Sequence, residues 1–232
     1  MGRTTACVLL LVLGGCSAHT TRPWMTDPSD PPAARAAKVL AEMQLEEKVA
    51  MLHGFDPDSN DYVGNIPGNS RLGIPGIRME DGPQGFRCSG QRPSGKTKGD
   101  CPPGSTTAWP SGLTIAASFD TEMARAWGAG MGEEFLAKGA NVQLGPGMCL
   151  ARVPTCGRNF EYLSGEDPIL GHDMVAQAIR GIQQTGVIAN AKHWVMNNQE
   201  TNRHGVTEVV DERTMYELYY VPFEGAIKAG EV

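Results

Sequence analysis

Lys192 and His193 stand side by side directly behind the apolar run Val187-Ile188-Ala189, and amides, Glu200 and Arg203 follow at once. Two titratable groups are an unusual way to end a buried strand. The segment "IRMED" ends in the same manner at Asp81, with Arg87 shortly after it, and Arg158 follows the segment "ANVQLGP". A carboxylate accepts hydrogen bonds, whereas guanidinium and ammonium groups donate them, so this set matches neighbouring hydroxyls such as those of a sugar. Phosphate would suit the cations but be repelled by Asp81. Trp109, Phe160, Tyr162 and Trp194 are available as an apolar face for a ring, or as ordinary core packing. Taken singly, each charged residue reads as a surface ion pair; their recurrence at strand exits singles them out. A lysine at a strand end also suits Schiff-base chemistry, which makes a lyase with Lys192 as nucleophile a rival.

The elements that position these residues follow from periodicity and caps. A helix is predicted after Asp120, with the stripe Met123, Trp127, Met131 and Phe135, ending at Gly139. A second begins at Pro168, carries Leu170, Met174, Val175, Ala178, Ile179 and Ile182, and closes at Gly186. A third is capped by Asp211, carries Met215, Leu218, Tyr219, Phe223 and Ile227, and should be kinked by Pro222. The strands "ANVQLGP" and "VIANA" alternate with these helices, which predicts a parallel sheet; its ligands gather at the C-terminal strand ends. Both a doubly wound sheet and a (β/α)8 barrel fit that rhythm. No GxGxxG follows a strand, so the nucleotide-binding version loses its main support. Upstream, "AARAAKVLAEMQLEEKVAML" reads as a helix in two pieces, the stretch around Gly64, Pro67, Gly68 and Gly73 as a loop, and Cys88 to Pro110 as a long loop.

With 41% hydrophobic and 20% charged residues, the 232-residue chain has ordinary globular composition. A formal net charge of -6 disfavours nucleic acid or an anionic membrane as partner. Arg3, the apolar run Cys7–Leu13 and the small residues to Ala18 have the form of a secretory signal peptide, too short to span a membrane. "LGGC" also offers lipid attachment at Cys16, ranked second to cleavage near Ala18. The expected layout is a signal at 1–18, a leader and first helix at 19–45, and one domain from 46 to 232, with the signal directing it to the exterior, or to a vacuole or the periplasm. Outside the signal, Cys88, Cys101, Cys149 and Cys156 allow three pairings. Spacing favours the local clips Cys88–Cys101 and Cys149–Cys156. No CxxC pair or histidine cluster supports zinc, so no metal or organic cofactor is expected.

The segments "RLGIPGIRMEDGPQGFR", "WPSGLTIAASFD", "GEEFLAKGANVQLGP", "GRNFEYLSGEDPILG" and "AKHWVMNNQETNR" resemble, in order, the motifs of glycoside hydrolase family 3, particularly its secreted β-glucosidases of fungal and other eukaryotic type. "DERTMYELYYVPFEGAIKAG" continues the match. The resemblance implies a (β/α)8 TIM-type barrel, of which this chain holds about the first half. It implies that Asp81, Arg158, Lys192 and His193 bind the glucosyl unit in subsite −1, and that Arg87 and Arg203 shape that pocket. Adjacent strand residues face opposite ways, so both Lys192 and His193 can reach one sugar only if the backbone is distorted there, for example by a non-proline cis bond. The family's N-acetylglucosaminidases carry Lys-His followed by Pro-Gly-His-Gly, where this chain reads "KHWVMNNQ"; that disfavours N-acetylglucosamine.

Retaining glycosidases need two carboxyl groups about 5–5.5 Å apart. By resemblance, the nucleophilic aspartate lies in an "SDW"-like motif downstream of Val232 and the acid/base comes from a following domain. Glu161, Glu166 and Asp167 belong to a binding loop or cap a helix. The expectation is therefore a β-glucosidase fragment, inactive alone. Its partners are a β-glucoside or short β-glucan oligosaccharide, the second half of the barrel and the next domain. Alternatives are a β-xylosidase or glucan exohydrolase of the same family, or a non-catalytic secreted sugar-binding protein.

Overall fold

The computed structural model describes residues 29–54, 62–88 and 105–232. Residues 1–18, read from the sequence as a signal, with Cys7 and Cys16, most of the stretch after Cys88, and Cys101 lie outside these residues. Helices α1 (Pro32–Glu42) and α2 (Leu45–Ala50) realise the expected two-piece helix. A reciprocal cap separates them, in which the Gln44 backbone N–H donates to Glu47 at 2.8 Å.

Four strands form one sheet in the order β1 (Gly64–Ile66), β2 (Ile77–Asp81), β3 (Val142–Leu144), β4 (Ile188–Ala189). β2, β3 and β4 run parallel, as expected from the βαβ rhythm, with Asp81 opposite Leu144 and Gln143 opposite Ala189. β1 corrects the loop reading around Gly64: it pairs antiparallel with β2, placing Gly64 opposite Met79. The sheet is therefore mixed. Three residues are too few to show an alternating pattern, and only pairing with β2 makes them a strand.

After the short α3 (Gly112–Ala116), helices α4 (Thr121–Ala137) and α5 (Pro168–Gln183) are the crossovers between the parallel strands. Their starts follow from capping chemistry. Asp120 accepts from the N–H groups of Glu122 and Met123 at 2.9 and 3.0 Å, and Asp167 from those of Ile169 and Leu170 at 2.8 and 3.2 Å. Trp127, Met131 and Phe135 of α4 and Met174, Val175, Ala178, Ile179 and Ile182 of α5 are buried together with Val187 and Ala189. Met123, predicted to share the stripe, is half exposed in the first turn of α4. The two helices touch backbone to backbone: a Cβ on Gly128 would lie 2.2 Å from the Ala178 carbonyl oxygen, and one on Gly181 2.2 Å from that of Arg125.

The third predicted helix begins at Asp211, whose carboxylate accepts from Thr214 N–H at 3.0 Å. It is not continuous. α6 (Glu212–Thr214) runs into a π-turn segment (Met215–Tyr219), then α7 (Val221–Glu224) and a second π segment (Gly225–Ala229). Pro222, where a kink was predicted, sits in the first turn of α7, a position that tolerates its missing N–H. Phe223 and Ala226 join the core, while Ile227 is exposed. Among the described residues, no helix is long and apolar enough to cross a membrane.

Candidate functional site

Asp81 is the last residue of β2, and Lys192 and His193 lie just past β4. The segment leaving β3 fills the space between them. It turns through a cis Gly145–Pro146 bond, after which Met148 N–H donates to the Lys192 carbonyl at 2.8 Å and Leu163 N–H to the Gly147 carbonyl at 3.0 Å. The C-terminal strand ends thus extend as a hydrogen-bonded platform, and the polar residues stand on it.

All six residues singled out in the sequence, Asp81, Arg87, Arg158, Lys192, His193 and Arg203, line one cavity of about 1020 Å³. Lys192 Nζ donates to Asp81 Oδ1 at 2.8 Å, and Arg87 Nη1 to Asp81 Oδ2 at 2.6 Å. Burial works against the Asp81 charge, but the two cations outweigh it and hold the carboxyl below its ordinary range. Arg158 is gripped by Glu161 through Nε and by Glu200 through Nη1 at 3.3 Å, and Glu200 also accepts from Arg203 at 2.9 Å. Burial disfavours the Arg158 charge, yet Glu161 more than compensates and its pKa rises. Glu200 is likewise held low: Arg158 and Arg203 outweigh its desolvation.

His193 has the opposite tendency. Burial, with the positive charges of Arg158 and Lys192, lowers its pKa to about 4, so at neutral pH it is an uncharged imidazole. The Lys192–His193 peptide bond is cis, as the need for both side chains to share one pocket suggested, and so is Trp194–Val195. The amine of Lys192 is engaged by Asp81 rather than free to attack a carbonyl as a Schiff base requires.

The aromatic candidates separate. Phe160 lines the cavity and is about half exposed there. Trp109 instead packs against the core, its indole N–H donating to Glu134 at 3.1 Å. Trp194 points away and stacks on Tyr220 at 5.0 Å. Tyr162 is fully buried, with its hydroxyl 3.3 Å from His193 Nδ1. Glu200 and Asn197, noted in the sequence after Lys192 but given no site role there, also line the cavity.

The cysteine expectation needs correction. Cys149 and Cys156 are both free and buried, so the Cys149–Cys156 clip is absent. Cys149 serves instead as a hydrogen-bonding neighbour of the His193 backbone, receiving its N–H at 3.4 Å, and burial pushes its thiol pKa up. Cys88 is disulfide-bonded, while the proposed partner Cys101 lies outside the described residues. No group of three or more metal-ligating side chains occurs among the described residues.

The strand ends of this α/β platform thus carry hydrogen-bond donors and acceptors in one cavity. The chain belongs to glycosyl hydrolase family 3, whose N-terminal domain model matches residues 98–232. It is 42% identical over 191 residues to thermostable beta-glucosidase B of Acetivibrio thermocellus, covering 82% of this chain and 24% of that protein. It is 39% identical to probable beta-glucosidase A of Aspergillus terreus, covering 84% and 23%. The crystal structure of DesR, a beta-glucosidase from Streptomyces venezuelae in complex with D-glucose, superposes with a TM-score of 0.73 at 41% identity, over 84% of this chain and 23% of that one. The chain thus spans about a quarter of the length of the curated relatives it matches.

Proposed function

We propose that the chain forms the glucose-binding wall of a β-glucosidase that removes terminal non-reducing β-D-glucosyl residues with retention of configuration. The observation that carries the reading is the cavity wall in which Asp81, clamped by Lys192 and Arg87, stands with the neutral His193 and Arg158. An ionised carboxylate, an ammonium, a guanidinium and an uncharged imidazole can together address several adjacent hydroxyls, some as acceptors and some as donors. Membership of the family, the names of its relatives and the glucose bound to DesR support the choice of a glucoside.

The carboxylates of this wall are binding groups. Asp81 and Glu200 are both held below their ordinary pKa, the reverse of what a general acid needs, and Glu161 is spent on Arg158. The nucleophile and the acid/base are therefore assigned to other parts of the protein, and the described sheet to the opening strands of a (β/α)8 barrel. The residues at 1–18 are assigned as a secretory signal.

Hydrolysis of p-nitrophenyl β-D-glucoside by the full-length protein, compared with this chain alone, tests the reading. Activity confined to the full-length protein and abolished by Asp81→Ala is the expected result. Glucose binding without hydrolysis in both would make it a sugar-binding protein, and activity of the isolated chain would mean that the carboxylate roles are misassigned.

A further inference from the structure

Behind the cavity wall lies a polar contact that the sugar-binding reading does not use. Tyr162 is fully buried, and its hydroxyl lies 3.3 Å from Nδ1 of His193 and receives Asn197 Nδ2–H at 3.3 Å. On the other side of the imidazole, Arg158 Nη2 lies 3.2 Å from Nε2. A guanidinium can only donate, so Nε2 presents its lone pair there. An uncharged imidazole has a single N–H, which must then be on Nδ1 and point at the Tyr162 oxygen. The doubly protonated form is disfavoured by burial and by Arg158 and Lys192. Burial raises the Tyr162 pKa as well, so it stays a phenol, and its edge meets the imidazole plane at 80°.

We infer that Tyr162 is a positioning residue: its hydroxyl accepts the Nδ1 proton of His193 and thereby fixes Nε2 as an acceptor, whose single lone pair is held by Arg158 Nη2 until a sugar hydroxyl displaces that N–H and donates in its place. The inference rests on the reading of the cavity as a glucose site. It gives the adjacent residues opposite tasks, with Lys192 donating to one hydroxyl and His193 accepting from its neighbour. The other tautomer would set an Nε2–H against the Arg158 N–H and leave the buried Tyr162 oxygen with Asn197 as its remaining donor among these groups.

The test is a double-mutant cycle in the full-length protein, using D-glucose as competitive inhibitor of p-nitrophenyl β-D-glucoside hydrolysis. Tyr162→Phe should weaken glucose inhibition about three- to tenfold, the loss expected from one misdirected hydrogen bond. In a His193→Ala background the same substitution should have no further effect, because its target is gone. A purely structural role predicts the same factor in both backgrounds and would overturn the inference, as would no effect of Tyr162→Phe.

Imidazole ¹⁵N shifts of histidine-labelled full-length protein provide a readout independent of sugar binding and of whether Tyr162→Phe folds. A protonated Nδ1 and a bare Nε2 are expected for His193, assigned by their loss in His193→Ala, and the reverse pattern refutes the tautomer. Should the unmodified protein neither bind glucose nor hydrolyse the glucoside, the cavity reading fails, and the nitrogen shifts alone decide the contact.

Discussion

Replacing Lys192 by methionine keeps most of the side chain's length and apolar stem while removing its ammonium. In the native site that group is 11% exposed and donates at 2.8 Å to Asp81, itself 20% exposed. Arg87, the carboxylate's remaining partner, is 68% exposed and correspondingly better screened by water. A hydrogen bond to a charged group is worth about 1.5–3 kcal/mol when its partner is left buried. If Lys192 meets the sugar as proposed, kcat/KM for p-nitrophenyl β-D-glucoside in the full-length protein should fall about 10- to 150-fold.

The variant also has a pH signature. Asp81 has a depressed pKa in the folded protein, so its contribution to stability is present above the ordinary carboxylate range and is lost as pH falls through the folded value. Without Lys192, Arg87 alone is left to oppose burial and that contribution shrinks. The gap in Tm between the native protein and Lys192→Met should therefore be widest near neutrality and narrow in acid. An activity loss below threefold, with a Tm gap that does not change with pH, would refute both the pairing and its role.

Two further perturbations test other parts of the structure. Gly128→Val places a Cβ 2.2 Å from a backbone oxygen on the facing helix, which cannot yield as a side chain could; destabilisation of about 1–3 kcal/mol is expected from overpacking, read as a lower Tm. His193 takes up a proton near 6.5 when unfolded but only near 4 when folded, so stability should decline as pH falls through that window, and the decline should be shallower in His193→Gln; equal slopes in thermal melts would refute the depressed value.

The parts of the fold that were legible in the sequence are those with a local cause. Asp120, Asp167 and Asp211 announce helix starts because capping needs only neighbours, and Trp127, Met131 and Phe135 reveal a buried face because the 3.6-residue periodicity repeats over about two turns. The gathering of Asp81, Arg158 and Lys192 was legible through the rule that parallel strands deliver their following residues to one end. What escaped has a non-local cause. β1 is a strand because β2 lies beside it, and Cys149 is a free thiol because its place is against the His193 backbone. Tyr162 read as one more aromatic, since nothing near it in the chain shows that its hydroxyl meets an imidazole 31 residues away.

The ion pair between Asp81 and Lys192 joins residues 111 positions apart. In kinetic terms the proposed recognition wall is a long-range object. Helical turns form within microseconds, but this contact requires a large loop to close and two crossovers to be docked first. Ligand competence consequently arrives with the last tertiary docking rather than with the local helices. A nascent or partly unfolded chain could show substantial helix content and yet have no grip on a sugar, so affinity for ligand also measures how far folding has gone.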